Sequence, residues 1–191
     1  MKAIIYTSNT GSTAEYAQLL GKELNLPVHS LQQAKNKVPA GSEIIYLGWI
    51  MAGGIKGYKE AAKLYKVRAV CGVGMGQTGT QLKEVRDKNA IPQRIPLFTL
   101  QGNFDVKKLH GVYRFMMNVM VKTAGKGLAN KPDRTPEEND MLDMMVNGGK
   151  RVSLQNLKAV TEWYKSVYWS DAKDCSYGDC KNYTDVLGVF S

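Results

Sequence analysis

The sequence predicts an α/β protein with a doubly wound, five-stranded parallel sheet, and three observations lead there. Short apolar runs alternate with segments of helical spacing through the first half of the chain. Several runs, such as Ile44-Ile45-Tyr46-Leu47, are continuously apolar, as strands buried on both faces are. Helix-length segments stand between the runs, which implies crossover connections rather than hairpins.

Taken in order, Ala3–Tyr6 reads as the first strand and Thr13 to about Leu24 as the first helix. Val28–Leu31 is a short second strand and Glu43–Trp49 a third. A helix is expected at about Tyr58–Tyr65, a fourth strand at Ala69–Val73, a helix at Gln77–Lys88 and a fifth strand at Ile95–Leu100. Five such strands suit the order 2-1-3-4-5, in which the chain reverses direction between the first and third strands. Ligands in such sheets sit over the carboxyl ends at that switch point.

The stretch Ser8-Asn9-Thr10-Gly11-Ser12-Thr13 occupies that position. A strand, a hydroxyl-rich turn and a helix N-terminus in succession make an anion site, because the first-turn N–H groups lack intrahelical partners and the helix dipole is positive there. The hydroxyls of Ser8, Thr10, Ser12 and Thr13 add uncharged donors, and Gly11 permits close backbone approach. The loop has no lysine, so it is not a nucleoside-triphosphate loop, and it lacks the three glycines of a dinucleotide fingerprint. A monophosphate fits.

Here Ser8-x-Thr10-Gly11-x-Thr13 resembles the flavin mononucleotide (FMN) phosphate loop of flavodoxins. That resemblance implies FMN as cofactor. It also implies that Trp49, Ile50, Met51, Ala52 and Gly53, after the third strand, set an aromatic or apolar side chain against the isoalloxazine ring. Gly74, Met75, Gly76 and Gln77, after the fourth, would line its other side. Many flavodoxins stack a tyrosine in that second loop, and this chain has none there. A strand-end core position is the other reading of Trp49.

After the fifth strand the chain departs from a short flavodoxin. Asp105 can cap a helix to about Thr123, with Leu109, Val112, Tyr113, Met116, Val119 and Met120 at spacings of three and four. Thr135-Pro136-Glu137-Glu138 reads as a capping box, Gly148-Gly149 follows that helix, and Ser153 caps a last helix to about Tyr168. The expected layout is a domain over residues 1–170, with a helical insertion at about 105–150, and a tail over 171–191. The pattern Gly102-x-x-Asp105-x-x-x-Leu109-x-x-x-x-Arg114-x-Met116-Met117 resembles the menaquinone-dependent protoporphyrinogen oxidases, which implies oxidation of a porphyrinogen-like substrate with a quinone acceptor. A carrier flavodoxin and a non-redox binding module on the same fold are the alternatives.

The net charge of +9 is unusual for a flavodoxin. It points to an anionic partner: an acidic small-molecule substrate, a redox protein, or an anionic membrane met peripherally through Lys107, Lys108, Arg114 and Lys122. Nucleic acid is not expected. No signal-peptide pattern or bilayer-length apolar run is visible, so a cytoplasmic setting, or one at the membrane surface, is expected. His29 and His110 fit no metal or triad spacing, and His110 and Tyr113 are the polar residues nearest a proton-transfer role. Cys71 reads as a buried small hydrophobe, and Cys175 and Cys180 as reduced tail thiols. A receiver domain would need an acidic cluster at these strand ends, and none is present.

Overall fold

The structure of the protein, a computed structural model, describes residues 1–103, 119, 123, 126, 127 and 129–168. Two compact units are distinguished, Met1–Leu157 and Lys158–Ser191. The first holds β1 (Ala3–Thr7), α1 (Ser12–Leu24), β2 (Val28–Ser30), α2 (Leu31–Lys37), β3 (Glu43–Met51), β4 (Gly54–Ile55), α3 (Tyr58–Leu64), β5 (Lys66–Gly74), α4 (Leu82–Asn89), β6 (Leu97–Gln101) and α5 (Pro136–Asn147). In the second, the described residues form α6 (Lys158–Tyr168), in which Tyr164 and Tyr168 stack at 4.8 Å between ring centroids.

The sheet is parallel in the order β2-β1-β3-β5-β6, with β4 paired antiparallel to β3. Burial follows from the apolar runs: Ile44, Ile45, Tyr46 and Leu47 of β3 are all inaccessible to solvent. Alternation along β3 sends Ile44 and Tyr46 into a cluster with Leu31, Ala34, Tyr58 and Val85 from α2, α3 and α4. Ile45 and Leu47 point to the opposite face, and α1 packs across β1, β2 and β3. Covering helices on both faces explain why the strands read as continuous apolar runs.

Four local expectations change. The second strand stops at Ser30, because Ser30 and Gln33 form a reciprocal capping box that starts α2, a helix the apolar pattern does not signal. The third strand runs on past Trp49 through Met51 and turns back as β4, a strand the apolar pattern does not signal. Helix α4 begins at Leu82 rather than Gln77, since Gln81, its N-cap, has a left-handed backbone (φ 60) and residues 78–80 bond to β6 instead. After Ser153 the chain makes a 3₁₀ turn at Gln155–Leu157 before α6. The box before α5 is present: Thr135 N–H donates to Glu138 Oε2 at 2.9 Å, and Glu138 N–H to Thr135 Oγ1 at 3.2 Å.

The helix expected from Asp105 to Thr123 falls mostly outside the described residues, as do Lys107, Lys108, His110, Tyr113, Arg114, Lys122, Cys175 and Cys180. Among the described residues, no helix is long and apolar enough to cross a membrane.

Candidate functional site

Because β1, β3, β5 and β6 are parallel, the loops that follow β1, β3 and β5 all leave the same edge of the sheet. The loop after β1 is closed by its own first residue: Ser8 Oγ accepts the Gly11 N–H at 3.2 Å. Gly11 is the N-cap of α1 with φ 102, and a Cβ there would meet nothing within 4 Å. The left-handed backbone, rather than crowding, is what calls for glycine. With no cap side chain, the N–H groups of Ser12, Thr13 and Ala14 have no intrahelical acceptor.

The four hydroxyls of this loop are not equivalent. Ser12 Oγ accepts the Asn103 N–H at 3.1 Å and lies 3.4 Å from its carbonyl, so it is already engaged. Thr13 is 1% exposed, under the helix start. Ser8 and Thr10 are half-buried and Asn9 is exposed. A cleft of about 630 Å³ opens beside them, with Ser8, Asn9 and Gly11 on one side and Ser30, Gln32 and Lys35 on the other. Lys35 Nζ pairs with Glu60 at 2.6 Å within it. Beyond this pair, a second cavity of about 390 Å³ is lined by Val38, Leu64 and Tyr65.

The hairpin after β3 is more tightly tied. Ala52 (φ 47) and Gly53 (φ 74) form its two-residue turn, with Ile50 opposite Ile55 and Met51 opposite Gly54. Asn89, the last residue of α4, holds the turn: its Nδ2 donates to the Gly53 carbonyl at 2.8 Å and the Val85 carbonyl at 2.7 Å, and its Oδ1 accepts the Ile55 N–H at 2.7 Å. Ile50 lies over β5, where a Cβ on Gly72 would come within 2.8 Å of its Cδ1. Alternation then puts Trp49 and Met51 on the other face. Trp49 is half-buried, with Lys56 Nζ 5.8 Å from its ring centroid. Where the hairpin ends, Tyr46 donates to the Lys56 carbonyl at 2.7 Å and meets Thr7 Oγ1 at 2.8 Å. Burial pushes its phenol well above the ordinary range.

In the loop after β5, Gly74, Met75, Gly76 and Gln77 are half-buried. The Gly74 carbonyl accepts the Gly102 N–H at 2.7 Å. The next residues line the edge of β6: Gly79 N–H donates to Thr99 O at 3.0 Å, Thr99 Oγ1 to Thr80 O at 2.7 Å, and Gln101 N–H to Thr78 Oγ1 at 3.1 Å. This stitching closes the outer edge of the sheet.

Asn103 was not singled out by the sequence, and it joins three segments. Its Oδ1 accepts the N–H groups of Arg151 at 2.6 Å and Val152 at 3.0 Å, and its Nδ2 donates to Glu15 Oε2 at 3.0 Å. Glu15, an acid in the first turn of α1, is thereby engaged by an amide donor. Tyr16 donates to Gln101 O at 2.6 Å and accepts from Asn156 Nδ2 at 2.7 Å, and burial raises its phenol pKa. Arg151 pairs with Asp140 at 2.9 Å and Asp143 at 3.2 Å, which ties α5 to this network. The visible signal was the asparagine directly after an apolar strand and a glycine; its partners lie 48 and 49 residues further on.

Of the residues expected to hold a ligand, Ser8, Asn9 and Gly11 line the 630 Å³ cleft, whereas Thr10, Ser12, Thr13, Trp49 to Gly53 and Gly74 to Gln77 do not. Among the described residues no group of three or more His, Cys, Asp or Glu could hold a metal ion. No protein-family model matches the chain, and no curated protein matches it.

Proposed function

We propose that this protein is an FMN-binding, flavodoxin-like redox protein. One observation carries the reading: a glycine-capped helix start, with the N–H groups of Ser12, Thr13 and Ala14 and the hydroxyls of Ser8 and Thr10, stands at the carboxyl end of β1, where the sheet order reverses. With the two-residue β4 set aside, the strands follow the order 2-1-3-4-5 of the doubly wound flavodoxin type. The chain beyond β6, at about 105–150, is the helical insertion of this reading.

In this arrangement the amides of the first turn and Thr10 take the phosphate, Trp49 and Met51 offer apolar surface to the ring, and the amides of Met75 to Gln77 reach its polar edge. Bound flavin supplies the electron-transfer chemistry, and the protein contributes binding, orientation and electrostatics. The +9 charge supports an anionic partner, either an acidic redox protein or an acidic substrate such as a porphyrinogen, with a quinone as acceptor.

Titration of the purified protein with FMN and with riboflavin, followed by visible absorbance and flavin fluorescence, tests the reading. FMN is expected to bind at least ten times more tightly than riboflavin. Thr10→Ala, which removes a donor worth roughly 1.5–3 kcal/mol toward a charged group, should weaken FMN about tenfold or more and leave riboflavin unchanged. Equal affinity for the two flavins, or no binding of either, overturns it.

A further inference from the structure

Asn89 ties the hairpin after β3 by hydrogen bonds to α4, the helix that follows the loop after β5. It is 5% exposed, and its amide makes three hydrogen bonds of 2.7–2.8 Å. One goes to its own helix, at Val85, and two go to the hairpin, on either side of Gly54. Beside the turn, a Cβ on Gly53 would lie 3.4 Å from Glu84 Oε1 and 3.6 Å from Lys88 Cγ, so the hairpin rests on α4 itself. A two-residue hairpin turn takes positive φ at both residues, which costs Gly53 nothing but strains Ala52 and so calls for support there. A buried amide with its donors and acceptor all matched provides that support.

We propose that Asn89 is a positioning residue for flavin: it fixes the hairpin after β3 on α4, and so the packing of Trp49 and Met51 against the ring. The inference rests on the FMN reading above. The phosphate loop has no part in it, since none of the bonds of Asn89 reaches residues 8–13. Phosphate capture and ring packing are therefore separable functions in this chain.

The experiment compares Asn89→Ala with the wild-type full chain on three readouts: FMN and riboflavin affinity, the visible spectrum of bound FMN, and the ratio of affinities for oxidised and reduced FMN. The expected result is a loss of about tenfold in affinity shared by FMN and riboflavin, a shifted spectrum, and an oxidised-to-reduced ratio altered at least fivefold. Asn89→Asp, which keeps an acceptor for Ile55 N–H, should fall between. Gly53→Ala disturbs the same clamp from the hairpin side if Asn89→Ala does not fold, and it should move the same readouts. A lower melting temperature with unchanged spectrum, riboflavin affinity and ratio would mean that Asn89 only stabilises the fold, and would overturn the inference while leaving the FMN reading intact. Wild-type protein that binds neither flavin overturns both.

Discussion

The loop after β1 leaves the first-turn amides of α1 without intrahelical acceptors beside an open cleft, while the hairpin after β3 has its turn carbonyl and amide bound by Asn89. Both segments are glycine-containing and both end at the same edge of the sheet. They differ in where their hydrogen bonds go. Groups left without partners near a surface can be given to a ligand. Groups that are satisfied internally can only shape what the ligand meets. The first loop thus has the chemistry of capture and the second that of placement.

The sharpest way to break this contrast is at Gly57, where the hairpin returns toward the side of the loop after β1. Gly57 has φ 79, and a Cβ there would collide with the Tyr46 hydroxyl and Thr7 Oγ1. Overpacking of roughly 1–3 kcal/mol and left-handed strain of roughly 1–2 kcal/mol act together, so Gly57→Ala should lose about 3 kcal/mol in urea unfolding. A loss under about 1 kcal/mol would show that this junction yields, and that the two segments are less firmly joined than the contacts imply.

Next in size is Asn103→Ala. It strands the Arg151 and Val152 N–H groups and frees Glu15 beside the start of α1. Each stranded donor costs about 1–3 kcal/mol when buried; because this site is partly open to water, the expected total is about 2 kcal/mol. The freed Glu15 carboxylate should also weaken an anion at the first turn, which the Asn89 variants would not do. An Asn103→Ala protein with unchanged stability would remove this residue from the comparison.

The effect that vanishes at neutral pH, and so ranks last there, calibrates the floor beneath both segments. Cys71 of β5 is fully buried, and burial pushes its thiol up from 9.0 to about 12. The unfolded chain therefore releases this proton first. Stability from the protonated thiol is complete below about pH 9 and falls as pH rises toward 12, by about 1.4 kcal/mol per pH unit. Urea unfolding of Cys71→Ala across that window should show a shallower alkaline decline than the wild type. Parallel declines would mean that the thiol is not protected from solvent.

The sheet was legible because burial on two faces demands unbroken apolar strands, and residues such as Ile44 to Leu47 meet that demand locally. The capping box before α5 was legible for a similar reason: Thr135 and Glu138 satisfy each other within one turn. Helix α2 was missed although its box, Ser30 and Gln33, is equally local, because Val28 to Leu31 reads as one short strand that runs into it. The Ala52-Gly53 hairpin was not legible because nothing in Trp49 to Ile55 announces the residue that holds it.

By itself, then, the sequence determined the alternation of strands and helices and the position of a hydroxyl-rich helix start after the first strand. Those features depend on neighbours one to four residues apart, through pleat, helical period and capping. Tertiary structure alone decided which polar groups of that edge remain available. Asn89 reaches back 34 and 36 residues to the hairpin, and Asn103 reaches 91 residues to Ser12. A hydrogen-bonding side chain carries no mark of its distant partner, so only the folded chain shows that Ser12 is spent on Asn103 while the amides beside it are not.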